Sequence, residues 1–255
     1  MSYLENGVTG HRGNPQKFPQ NTIESFESAI ALQCDWVETD IHLTRDGRVV
    51  ISHDADTRGQ ADKCCTICET ELAQLRKLNM ATFFNLTHEE KAPVFAAMPT
   101  LEEVLDLFRS QDKVRLSLQP KAPGVIQAAA KIIRQMNIPQ EMIGFNDGCL
   151  EYMISAKQEF PDATIFYDRL KCDALSEDIA ISHKYNFTNL VYNERYLTKA
   201  AVEQIADSGL IPGVWTVCNP GEMDRFIEMN VQRFYTDFPA LLMEKIKAFQ
   251  TKNHK

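Results

Sequence analysis

The sequence predicts a (β/α)8 barrel, a TIM barrel, on three observations. Strand-like segments alternate with segments of helical period eight times along the chain, and such alternation builds a parallel sheet. Eight strand–helix units in 255 residues is the size of this barrel. The competing open, doubly wound sheet lacks a Gly-rich dinucleotide fingerprint here.

The elements follow in order. "GVTGH" is a short apolar strand ending at His11. "NTIESFESAIALQ" is a helix with an Asn/Thr start and with Ile23, Phe26, Ala29 and Ile30 at helical spacing. "WVETDIHL" is the second strand, and "TRDGRVVISHD" is a hairpin with Asp46-Gly47 as its turn. Residues 56–99 are less regular and hold a helix at "TELAQLRKL". "PTLEEVLDLF" opens a helix, with Pro99 near its start and Glu102 and Glu103 in the first turn, where the dipole favours acids. "VRLSLQ" is the third barrel strand and "GVIQAAAKIIRQM" the helix after it. Strands then follow at "MIGF", "TIFY", "NLVY", "GVWTV" and "RFYTD", with helices between them; "KAAVEQIADSG" places Gly209 as a C-cap.

Composition narrows the function. With 44% hydrophobic residues the core is ample, and no apolar run reaches the roughly 18 residues that a membrane span needs. The first residues lack the basic-then-apolar pattern of a signal peptide, so a soluble cytoplasmic protein without stable membrane insertion is expected. A net charge of −8 argues against non-specific nucleic-acid binding. It leaves room for an anionic small molecule, since a metal and a few Lys or Arg can set a local field. Seven cysteines, an odd number, do not read as a disulfide framework. The cluster Cys64, Cys65 and Cys68 lacks a fourth zinc ligand and reads as packing thiols. Oligomeric state is left open.

In a barrel the site lies at the C-terminal ends of the strands. There the chain places His11, with Arg12 behind it, and the pair Glu38 and Asp40. A spacing of two puts both carboxylates on one face of a strand. Two acids side by side repel, and a hard cation such as Ca²⁺ or Mg²⁺ relieves that cost. His42 shares their parity and reads as a rim residue. The hairpin returns to His53, and two histidines beside a carboxylate pair suit a general acid and base near neutral pH. Gln119 and Lys121 end the third strand on one face; Lys121 and Arg12 can neutralise an anionic oxygen. Trp215 either packs against a ligand or fills the barrel mouth, Asp237 reads as a helix N-cap, and Phe84 and Phe95 are further candidates for an apolar lining.

Together the runs "GHRG", "PQNTIESFESAI", "WVETDIHLTRDGRVVISHD", "MPTLEEVL", "SLQPK", "GVWTV" and "RFYTDFP" resemble the glycerophosphodiester phosphodiesterase family, in order and over essentially the whole chain. The resemblance implies one barrel domain, 1–255, with an inserted subdomain after strand two at about residues 54–98. It implies hydrolysis of a small-molecule glycerophosphodiester to glycerol phosphate and an alcohol. His11 and His53 would be the acid and base. Glu38 and Asp40 would hold a divalent cation, Ca²⁺ or Mg²⁺, and Arg12 and Lys121 would contact the phosphate. Where the family has a third metal carboxylate this chain has Gln119, and its P-E-N-T motif reads with Gln20. Gln119 can offer a neutral carbonyl oxygen to the metal, at the cost of one negative charge. The alternative is a weakly active or inactive relative that binds phosphodiesters or partners without turnover. The alcohol head group is not legible.

Overall fold

The computed structural model describes residues 6–253. Its nine strands are β1 (Val8–His11), β2 (Trp36–Leu43), β3 (Val49–Ile51), β4 (Arg115–Pro120), β5 (Ile143–Asp147), β6 (Thr164–Arg169), β7 (Asn189–Asn193), β8 (Ile211–Trp215) and β9 (Arg233–Thr236). Eight are parallel in the order β1-β9-β8-β7-β6-β5-β4-β2, and β2 pairs back with β1 to close the barrel. β3 pairs antiparallel with β2 alone, as the return strand of the hairpin. Gly47, with φ of +73°, supplies the left-handed turn residue between them.

The helices are α1 (Ile23–Ala31), α2 (Leu72–Leu75), α3 (Thr82–Thr87), α4 (Leu101–Arg109), α5 (Val125–Gln135), α6 (Leu150–Glu159), α7 (Leu175–Lys184), α8 (Lys199–Asp207), α9 (Pro220–Glu228) and α10 (Pro239–Asn253). Local chemistry sets their ends. The Thr22 hydroxyl accepts from Ser25 N at the start of α1, and Thr100 with Glu103 forms a reciprocal capping box on α4. Gly209, at φ of +83°, follows α8 where its left-handed backbone ends the helix. The outward apolar faces of the strands and the inner faces of the helices form one continuous core.

Inside the barrel, side chains alternate along each strand. Trp36, Phe166 and Tyr235 form an aromatic floor, with Trp36 and Phe166 edge to face at 5.0 Å. Gly144 is required by that floor: a Cβ there would stand 2.8 Å from Trp36 Cζ3. The parity that turns Trp36 inward turns Glu38 and Asp40 inward above it, toward the C-terminal mouth.

The segment between β3 and α4 carries a separate apolar cluster of Val50, Ile67, Leu75, Leu78, Met80 and Met98. The helix expected at "TELAQLRKL" shrinks to the single turn α2. Only Leu72 and Leu75 of that turn meet the small cluster, and Arg76 leaves it to reach Glu103 and the Met98 carbonyl. Cys64 and Cys68 are exposed and Cys65 half-buried, so the first two do not serve as packing thiols. Phe95 is 61% exposed and Phe84 stacks on His88, both on this segment.

Candidate active site

A cavity of about 380 Å³ opens at the C-terminal mouth, lined by residues that include His11, Arg12, Glu38, His53, Gln119, Lys121 and Trp215. The structure thus places these seven expected residues around one cavity; Asp40, on the same strand face as Glu38, is fully buried. A second cavity, of about 450 Å³, lies at the opposite end of the barrel, and Arg233 is the only ionisable side chain among the described residues of its lining. That arginine is already paired with Asp35. Of these two cavities, only the one at the C-terminal mouth is lined by the ionisable residues expected from the sequence.

β1 delivers His11, and the turn after it delivers Arg12. Arg12 takes a left-handed backbone, φ +56°, uncommon outside glycine. Gly13 follows at φ +96°, and a Cβ there would stand 2.3 Å from Ser25 Oγ. Arg12 N donates to Glu38 Oε2 at 3.1 Å, its Nη1 donates to Gln20 Oε1 at 2.8 Å, and its Nε lies 3.3 Å from Asp40 Oδ2. The amide at position 20 therefore still orients the guanidinium.

The two β2 carboxylates differ sharply. Burial drives the Asp40 carboxyl upward, but the neighbouring Arg12 and Lys121 cations outweigh it and hold Asp40 below its usual range. Lys121 Nζ lies 3.2 Å from Asp40 Oδ1, and Asn21 Nδ2 donates to Oδ2 at 2.9 Å. Glu38 is pushed up to about 7, first by burial and then by the charge of Asp40.

Each histidine in the cavity is held by a carboxylate. His11 Nδ1 lies 2.7 Å from Asp237 Oδ1, and His53 Nδ1 lies 2.7 Å from Asp54 Oδ1. A carboxylate accepts there, so Nδ1 carries the proton and Nε2 is left for the cavity. Burial opposes the Asp237 charge, but its hydrogen bond and ion pair with His11 win and keep it below its usual range. Burial lowers His53, which favours its neutral form.

Several expectations change. Asp237 directs its carboxylate at His11. His42 is not an exposed rim residue: it is 6% exposed, and its Nε2 lies 3.2 Å from the His53 carbonyl oxygen, so it braces the hairpin. Of Phe84, Phe95 and Trp215, only Trp215 lines this cavity among the described residues. Sequence reasoning missed Asp237 and Asp54 as histidine partners, Asn21 as the Asp40 donor, and Asn146, Asp168, Arg169 and Tyr235 in the wall. Parity on β5, β6 and β9 was the signal available for the last group.

A closed parallel barrel with two carboxylate-held imidazoles, two buried acids and two cations at its C-terminal mouth defines the class of barrel hydrolases that act on anionic esters. The chain belongs to the glycerophosphoryl diester phosphodiesterase family, whose profile matches residues 11–241. It is 26% identical to a Bacillus subtilis glycerophosphodiester phosphodiesterase over 257 residues, covering 95% of this chain and 87% of that one. It is also 26% identical to one from Caldanaerobacter subterraneus over 260 residues, 94% and 97% of the two chains. Among solved structures, an Oleispira antarctica phosphodiesterase in complex with the product sn-glycerol-3-phosphate superposes with a TM-score of 0.82 at 21% identity, covering 94% of this chain and 96% of that one. A Thermotoga maritima glycerophosphodiester phosphodiesterase gives 0.70 at 20% identity, with 98% and 100% covered.

Proposed function

We propose that this chain hydrolyses a glycerol-linked phosphodiester to glycerol phosphate and an alcohol, with His11 and His53 as acid and base. The observation that carries the reading is the pair of imidazoles, each fixed at Nδ1 by a carboxylate, facing one cavity with Arg12 and Lys121. The product complex of the Oleispira antarctica neighbour supports a small-molecule substrate of this kind.

The residues present fit a hard divalent cation, Ca²⁺ or Mg²⁺. Glu38, Asp40 and Gln119 offer only oxygens; Asp40 is paired with Gln119 in the β2–β4 register, and Gln119 lines the cavity. Asp147, beside Gln119, is an acceptor that would draw the amide NH₂ and leave the carbonyl oxygen for a metal. Bound there, the cation would polarise the phosphoryl oxygens.

The chain's own groups do the rest. Arg12 and Lys121 balance the phosphate charge. His53, kept neutral by burial, accepts the proton of the attacking hydroxyl, the one beside the ester on glycerol. His11, backed by ionised Asp237, gives a proton to the leaving oxygen. Water then opens the cyclic phosphate with the roles reversed. Residues 54–98 form an inserted subdomain beside the mouth. Seven thiols without a disulfide among the described residues fit a reducing compartment, the cytoplasm.

One observation favours a second reading, binding with little turnover. Among the described residues no three His, Cys, Asp or Glu side chains come together to hold a metal. Release of glycerol phosphate from a glycerophosphodiester separates the two. The enzyme reading requires release that a chelator and His11→Ala or His53→Ala abolish. Ligand-induced thermal stabilisation with no product overturns it in favour of the binding module.

A further inference from the structure

The large apolar side chains left exposed are unevenly placed. Among the described residues there are eight, and only Phe249, on α10, lies toward the opposite end of the barrel. Phe18 sits on the loop after β1, and Phe83, Leu86, Val94 and Phe95 sit on the segment between β3 and α4. Leu170 and Tyr196 sit on the loops after β6 and β7, across the mouth, because β6 and β7 oppose β1 and β2 in the closed sheet. Apolar tips thus flank the catalytic cavity on two sides, and Leu170 lines it. Exposure gathered in this way marks an interaction surface.

The tips are held out by ordered backbone. α3 buries none of its residues, although it carries Phe83, Phe84 and Leu86. A helix this short owes its stability to what packs on it. Asn85 fixes Val94 beside it, donating from Nδ2 to the Val94 carbonyl at 2.8 Å and accepting from Val94 N at 3.0 Å. Phe83 and Phe84 share a small cavity with Pro15 and Pro19 of the loop after β1, so the two segments form one surface.

Exposed cations stand beside the tips. Lys17 precedes Phe18 and Arg195 precedes Tyr196. Lys91 lies 4.9 Å from the Phe84 ring centroid, and Lys171, next to Leu170, lies 5.7 Å from that of Tyr196. None of the four makes a salt bridge among the described residues. Glu89, Glu90 and Asp173 are exposed on the same loops, so the charges roughly balance and the apolar side chains carry the contact. Apolar tips with long cationic side chains beside them suit a lipid interface, where the stems lie in the apolar layer and the charges reach water.

A second copy or a protein seated on both sides of the mouth would seal the cavity from substrate. A lipid surface would instead present amphiphilic phosphodiesters to it. Resting on the phosphodiesterase reading, we infer that these loops dock on a lipid surface and seat the mouth of the cavity against it. No described helix is long and apolar enough to cross a membrane, so the contact is peripheral.

Co-sedimentation with phosphatidylcholine vesicles, beside release of glycerol phosphate from a water-soluble glycerophosphodiester, tests this on wild type, Tyr196→Ser and the double variant Phe83→Ser/Leu86→Ser. Wild type should partition onto the vesicles. Tyr196→Ser should bind about tenfold more weakly and the double variant about 100-fold, roughly tenfold for each large side chain withheld from the lipid. Release from the soluble substrate should match wild type in both variants, since none of the three residues lines the catalytic cavity. No partition by wild type, or partition unchanged in the variants, overturns the docking surface. So does a wild-type dimer that the variants dissociate in sedimentation velocity, which would make this face a contact between copies. Partition that weakens as expected, with no release by wild type, keeps the docking surface and overturns the reading beneath it.

Discussion

Lys121 Nζ stands 3.2 Å from Asp40 Oδ1, where a cation shared by Asp40 and Gln119 would also have to bind. In the proposed reaction the lysine would both supply positive charge for a phosphate and compete for a buried carboxylate. Lys121→Met should separate the two roles. Cation affinity, read by calorimetry, should rise or hold, while kcat/KM falls about 100-fold through loss of electrostatic stabilisation. Equal losses in both would show that Lys121 supports the carboxylates and does not contest them.

Gln119→Glu restores a negative charge beside Asp40. Its cation affinity should exceed that of wild type by on the order of tenfold, about 1.4 kcal/mol, since ligand charge count tunes such sites. Titration of chelator-stripped proteins checks this, with Glu38→Ala expected to bind no cation.

His11 and His53 should each cost roughly 10²- to 10⁴-fold in kcat when replaced by Ala. Asp237→Asn keeps a partner at His11 Nδ1 but removes the charge that favours the imidazolium. It should lower kcat by about tenfold or more, because a neutral partner supports proton donation by His11 less well than a carboxylate. A kcat unchanged from wild type would remove Asp237 from that role.

Glu38 couples stability to pH. Its carboxyl rises from the ordinary 4.5 to about 7 on folding, so the folded chain holds a proton that the unfolded chain has released. That contribution is complete below about pH 4.5 and is lost as pH rises through about 7. In chelator, the melting temperature of wild type should fall between pH 5.5 and 8 more steeply than that of Glu38→Gln. Parallel curves would show that Glu38 titrates normally.

Gly144→Ala tests the aromatic floor. Its Cβ would stand 2.8 Å from Trp36 Cζ3 and 3.0 Å from Phe166 Cε2. Overpacking of this kind costs about 1–3 kcal/mol, measurable by denaturant unfolding.

Every barrel strand was legible in the sequence because each is a short apolar run between turn and helix signals. Glu38 and Asp40 were legible because a period of two is local. The partners of the histidines were not: Asp237 meets His11 across 226 residues, through the closure of β1 on β9. His42 followed the right parity but not the right burial, since the hairpin folds back over it. The wall residues Asp168 and Tyr235, on β6 and β9, were hidden for the same reason, as a lone Asp or Tyr on a strand says nothing until the barrel closes around it.

Hydrolysis at this site with a neutral third ligand is tested most directly by phosphorus NMR of a glycerophosphodiester. Chelator-stripped wild type should be inert, should release glycerol phosphate when Ca²⁺ or Mg²⁺ is restored, and should do so at lower cation concentration as Gln119→Glu. Release unaffected by chelator, or no release by wild type at any cation concentration while Gln119→Glu turns over, would contradict it.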